Sequence, residues 1–110
     1  MQSKDLEVFN GMPFYFWVKD EAGRYLWTNQ ALKEMAKQDL IGKTDREVGW
    51  AADAEALRAD DQKVLETGQP LYLCENAEVP GRGQVTLNIR KFLGELDGKK
   101  SVFGVSYISD

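Results

Sequence analysis

The chain reads as a single α+β domain: an antiparallel sheet with helices packed on one face. Three observations predict this. Two short aromatic runs, Phe14–Lys19 and Arg24–Thr28, flank an Asp-Glu-Ala-Gly turn near the start. Helical spacing then dominates the middle, and the last third returns to strict alternation of apolar and polar residues. Strands that open and close a chain, with helices between, give the element order strand-strand-helices-strand-strand-strand.

The N-terminus predicts a short helix over Ser3–Asn10, with Ser3 as cap and Leu6 and Phe9 on one face at i, i+3. Asn10-Gly11 and Pro13 stop it. Residues 1–12 are thus assigned as a capping helix and 13–110 as the domain proper. The aromatic runs form a hairpin around Asp20, Glu21 and Gly23, rich in β-formers on both sides. Asn29 caps a short amphipathic helix carrying Leu32, Met35 and Ala36. Leu40-Ile41-Gly42 reads as a turn with two apolar anchors, and Thr44-x-x-Glu47 fits a capping box.

Ala51–Thr67 is the strongest helix, with Ala54, Leu57, Val64 and Leu65 as a partial stripe and a stop at Gly68 and Pro70. Leu71–Val79 is a strand, and Pro80-Gly81-Arg82-Gly83 a turn. In Gln84–Leu93, Val85, Leu87 and Ile89 alternate with Thr86, Asn88 and Arg90. Gly94–Gly98 is expected as a hairpin loop before a last strand, Ser101–Ser109.

Composition narrows the function. The chain has 110 residues, 43% of them hydrophobic, with three Trp, four Tyr and five Phe, enough for one core. A net charge of −4 with no basic stripe argues against contact with nucleic acid. The lone Cys74 excludes an internal disulfide and fits a reducing compartment. No apolar run approaches the ~20 residues a bilayer span needs, and MQSKDLEVF does not read as a secretion signal. A cytoplasmic domain without membrane contact is expected. There is no His, so His-based triads and His-ligated haem are excluded. An enzyme would need Asp45 or Glu47 as base, and no second catalytic group is evident.

Four motifs carry a resemblance. They are Val18-Lys19-Asp20-x-x-Gly23-x-Tyr25-x-x-x-Asn29, Ile41-Gly42-Lys43-Thr44-Asp45, Asp60-Asp61-x-x-Val64-Leu65-x-Thr67-Gly68-x-Pro70 and the closing Phe103–Asp110. In this order and spacing, from Pro13 onward, the chain resembles the PAS domain family. The resemblance implies a five-stranded antiparallel sheet cupping a small pocket, in a sensory and dimerisation module that regulates an output domain (a histidine kinase, cyclase or transcription regulator, often in a two-component system). In that family the last strand runs into an Asp-x-Thr motif and a coiled coil. The chain stops at Asp110, so a longer signalling protein is expected. The flavin-photoreceptor branch carries Cys where this chain has Thr44-Asp45-Arg46, which removes the adduct chemistry. No cofactor is therefore expected, although flavin held without an adduct stays open, as does a purely structural dimerisation module without ligand.

The resemblance also places Lys19 and Asp45 at the pocket. Alternation then puts Tyr15 and Trp17 beside Lys19, and Phe14, Phe16 and Val18 on the other face. Lys19 and Asp45 are expected to pair, as structure or as a ligand contact, unless Lys19 snorkels to solvent. With Gly104 and Ser106 inward, Phe103, Val105 and Tyr107 face outward. The expected inward polar set is Thr86, Asn88, Arg90 and Ser106, which suits a small hydrophilic or acidic ligand. A register shifted by one would invert every assignment. The outer face, collecting Val85, Leu87 and Ile89 besides Phe16, Val18, Phe103, Val105 and Tyr107, is too apolar to stay bare. Leu6 and Phe9, a second copy of the chain, or both are expected to cover it.

Overall fold

The computed structural model describes residues 1–109. Five strands form one antiparallel sheet: β1 (Tyr15–Asp20), β2 (Tyr25–Thr28), β3 (Leu71–Val79), β4 (Gly83–Leu96) and β5 (Lys99–Ser109), in the spatial order β2-β1-β5-β4-β3. Two helices, α1 (Gln30–Ala36) and α2 (Ala54–Thr67), lie between β2 and β3. The fold class and element order are those the sequence predicts.

The opening hairpin forms because Asp20 closes it. Its carboxylate accepts from the backbone N–H of Ala22 and Arg24, both at 2.9 Å, and Gly23 adopts φ 85°. Asn29 does more than cap α1. Fully buried, its Oδ1 accepts from the N–H of Leu32 (3.2 Å) and Phe16 (3.1 Å), and its Nδ2 donates to the carbonyls of Phe9 (2.9 Å) and Phe14 (2.8 Å). One side chain thus fixes the N-terminal segment, β1 and α1 relative to each other.

The N-terminal helix is a 3₁₀ helix, Ser3–Gly11, and Ser3 is not its cap. Ser3 instead hydrogen-bonds the Asp97 carboxylate through its N–H (3.0 Å) and its hydroxyl, tying the N-terminus to the β4–β5 turn. The winding follows from the packing. Three residues per turn stack Leu6 and Phe9 directly above one another. Leu6 is fully buried with Phe16, Val18, Leu96 and Phe103, and Phe9 stacks on Phe16 at 4.4 Å between ring centroids. This helix covers the outer face of the sheet over β1 and β5.

Three further boundaries differ from expectation. The Gly94–Gly98 loop shrinks to a two-residue turn at Asp97-Gly98, both with positive φ, and the flanking residues join β4 and β5. The long helix begins with a separate 3₁₀ turn, Ala51–Asp53, beside Trp50. Leu40 is buried but Ile41 is half exposed, so the turn has one anchor. The Thr44–Glu47 box forms as expected: one Glu47 oxygen accepts from the Thr44 N–H and hydroxyl, both at 3.0 Å.

The β4 face assignment is inverted. Ile89 pairs with Ser106 and Lys91 with Gly104, so Val85, Leu87 and Ile89 share the inner face with Ser106. Thr86, Asn88 and Arg90 pair with Ser109, Tyr107 and Val105 on the outer face. An alternating strand gives two equally regular faces; pairing with β5, already fixed by β1, decides between them.

Candidate functional site

Between the inner face of the sheet and the helices lies a cavity of about 710 Å³. Tyr15, Trp17 and Lys19 reach it from β1, Leu87, Ile89 and Lys91 from β4, and Ser106 from β5. Trp17 can lie flat on β5 because residue 104 is glycine: a Cβ there would sit 2.1 Å from the indole Cε2. The Trp17 indole N–H is itself buried and has no acceptor among the described residues.

A buried chain of four charges closes the deep end. The Lys19 ammonium lies 2.6 Å from Asp45 Oδ2 and 3.0 Å from Asp61 Oδ2. The other oxygen of Asp61 takes the Lys91 ammonium at 2.9 Å. All four side chains are nearly or fully buried. Asp45 also accepts from the Tyr25 hydroxyl (2.7 Å) and the Trp50 indole N–H (2.8 Å) on its second oxygen. The set carries two positive and two negative charges, and every ammonium and carboxylate in it has an oppositely charged partner, which is what allows it to be buried.

The surroundings set the protonation of this group. Burial alone would raise the Asp45 pKa. The Lys19 charge and hydrogen bond, with those from Tyr25 and Trp50, outweigh it and hold the carboxyl below its usual range. Burial pushes the Tyr25 hydroxyl well above its ordinary value, and the Asp45 charge adds to the effect. At neutral pH Asp45 is therefore a carboxylate and Tyr25 a neutral donor.

Of the residues predicted for the pocket, Tyr15, Trp17, Lys19 and Ser106 line the cavity, whereas Asp45 is outside the lining and bonded to Lys19 behind it. Asn88 and Arg90 do not. Asn88 donates to the Ser109 hydroxyl (2.7 Å), and Arg90 lies exposed over the Tyr72 ring at 4.7 Å. Sequence reasoning missed Asp61, Lys91, Tyr25 and Trp50. Asp61 carried a signal: it occupies the gap between Leu57 and Val64 in the apolar stripe of α2. Lys91 continues the parity of Leu87 and Ile89. Among the described residues no three of His, Cys, Asp or Glu converge to hold a metal ion.

On the outer face, Leu6, Phe16, Val18 and Phe103 are buried together, with Phe9 and Val105 packed against them. Tyr107 is 44% exposed, and Tyr72 and Phe92 on the same face are also exposed.

A five-stranded antiparallel sheet of this order, with a cavity between it and the helices, defines an α+β module built around a ligand-sized space. The chain belongs to the PAS fold family, whose model matches residues 9–105. It is 39% identical over 77 residues to y4lL, an uncharacterised protein of Sinorhizobium fredii; the match covers 67% of this chain and 9% of that protein. Among solved structures, the Vibrio cholerae VqmA dimer without its target DNA superposes with a TM-score of 0.84 at 22% identity, over 97% of this chain and 51% of that one. VqmA bound to DPO gives 0.83 at 23%, over 96% and 57%. The PAS domain of Bordetella pertussis BvgS gives 0.74 at 19%, over 97% and 85%. No described helix is long and apolar enough to cross a membrane.

Proposed function

We propose that this chain is the non-enzymatic sensory domain of a longer cytoplasmic signalling protein. It binds a small molecule between sheet and helices and regulates an output domain: a histidine kinase, cyclase or transcription regulator. The observation that carries the reading is the 710 Å³ cavity with its closed, charge-compensated floor. A purely structural module would fill that space with side chains. The inverted β4 register changes the ligand from hydrophilic to amphiphilic, because Leu87 and Ile89 replace Asn88 and Arg90 in the wall. The likeness to VqmA bound to DPO supports the binding of a small ligand. The chain spans about half of VqmA and a tenth of y4lL, which supports a separate output domain. Signalling runs through neither His-ligated haem nor a flavin–Cys adduct, as the absence of His and of a Cys at position 44, 45 or 46 supports.

The exposed Tyr72, Phe92 and Tyr107 favour homodimerisation through the uncovered part of the outer face. Native mass spectrometry of the purified protein tests both halves at once. The expected spectrum shows a dimer that retains a small molecule or takes one up. A monomer at high concentration that takes up nothing from a metabolite extract would overturn the proposal, and a coloured preparation would overturn its cofactor-free part.

A further inference from the structure

Resting on the ligand-binding reading above, we infer that Ser106 is the residue that selects the ligand. Its hydroxyl takes an uncharged hydrogen-bonding group (a hydroxyl, carbonyl or amide) carried on an apolar or aromatic body. The other polar side chains that line the cavity and are at least nine-tenths buried have nothing to give. Lys19 and Lys91 are held by Asp45 and Asp61, and the Tyr25 hydroxyl donates to Asp45. The Trp17 nitrogen is itself buried and offers a ligand no surface. Ser106, 4% exposed, differs from all of these. Among the described residues its hydroxyl has no hydrogen-bond partner, yet the oxygen keeps accessible surface, and Ser106 opens on the cavity. It sits on the central strand β5, with Tyr15 opposite it on β1 and Ile89 on β4. A group that reaches it is therefore flanked by a ring and an aliphatic chain. A buried hydroxyl left unbonded costs stability that an alanine, which fits the same space, would not cost. Serine offers one donor, two acceptors and no charge. A carboxylate brought to it would be buried without a free cation, since both lysines are already neutralised.

Three probes with the same ring separate the hydrogen bond from the apolar body and the charge: benzyl alcohol, toluene and benzoate. Titrations at millimolar concentration are read on the indole N–H resonances. Trp17 and Trp50 line the cavity, while Trp27 packs against Phe16 on the outer face and serves as internal reference. Benzyl alcohol and toluene are expected to shift Trp17 and Trp50 but not Trp27. Ser106→Ala should weaken benzyl alcohol roughly fivefold, the worth of one hydrogen bond, and leave toluene and benzoate within about twofold of the parent chain. Toluene reports on folding and cavity shape, because a variant that disturbs the wall weakens it as well. Benzyl alcohol binding unmoved by Ser106→Ala, or toluene weakened in parallel, overturns Ser106 as the anchor and leaves the ligand reading standing. Benzoate weakened as much as benzyl alcohol overturns the uncharged class. If no probe moves Trp17 or Trp50, both readings fall.

Discussion

The two faces of this sheet solve the burial problem by opposite means. The inner face stays hollow and seals its deep end with four compensating charges. The outer face packs aromatic and aliphatic side chains under a 3₁₀ helix and leaves its far half open. Adjacent residues on β4 show the contrast at its sharpest. Lys91 is 1% exposed and held by Asp61, whereas Arg90 is exposed and lies over Tyr72. A charge on a strand therefore does not declare its face; the residue paired with it across the ladder does.

The inner face should break through charge. Lys19→Met removes the cation that bridges Asp45 and Asp61, and a loss of about 3–5 kcal/mol is expected in urea unfolding. Lys91→Met should cost less, because Asp61 keeps Lys19. Equal losses would show that Lys19 is no bridge. The same group sets the pH limits. Asp45 has a lowered pKa in the fold, so its stabilisation is complete above the unfolded value of about 4 and is lost as pH falls through the folded one. Tyr25 has a raised pKa, so its share is complete below about 10 and declines as pH climbs toward the folded value. Unfolding followed from pH 7 downward should show an acid limb that is weaker in Asp45→Asn.

The outer face should break through volume instead. Leu6→Ala opens a void against Phe16, Val18 and Phe103, and about 2–4 kcal/mol is expected. Unlike Lys19→Met, it should leave the Trp17 and Trp50 indole resonances in place, since the sheet lies between. A loss under about 1 kcal/mol would mean that the 3₁₀ helix is only loosely docked and adds little to the fold.

How much of this was legible in the sequence depended on whether a local rule or a pairing decided the matter. The opening hairpin, the Asn29 cap, the Thr44–Glu47 box and the Gly68 stop rest on residues within a few positions of each other, and all form. The β1 faces were legible because Lys19 had a motif to anchor it. The β4 faces were not: Val85–Arg90 alternates equally well either way, and only Ile89 opposite Ser106 settles it. Asp61 was hidden for a related reason. An acid in an apolar stripe is read as a solvated break unless its two lysines, 42 and 30 residues away, are already known to be inside.

The smallest expected effect tests the open half of the outer face. Arg90 on Tyr72 is an exposed cation–π pair, worth about 0.5–1 kcal/mol. In an isolated monomer Arg90→Ala should therefore lower stability by less than about 1 kcal/mol at any protein concentration. If Tyr72, Phe92 and Tyr107 meet a second copy, the pair becomes desolvated and its removal costs more, about 2 kcal/mol. That larger cost would appear as a midpoint of unfolding that rises with protein concentration in the parent chain and less steeply in the variant. A small loss independent of concentration confines Arg90 to decorating a solvent-facing ring and shifts the dimer contact, if one forms, to the N-terminal helix.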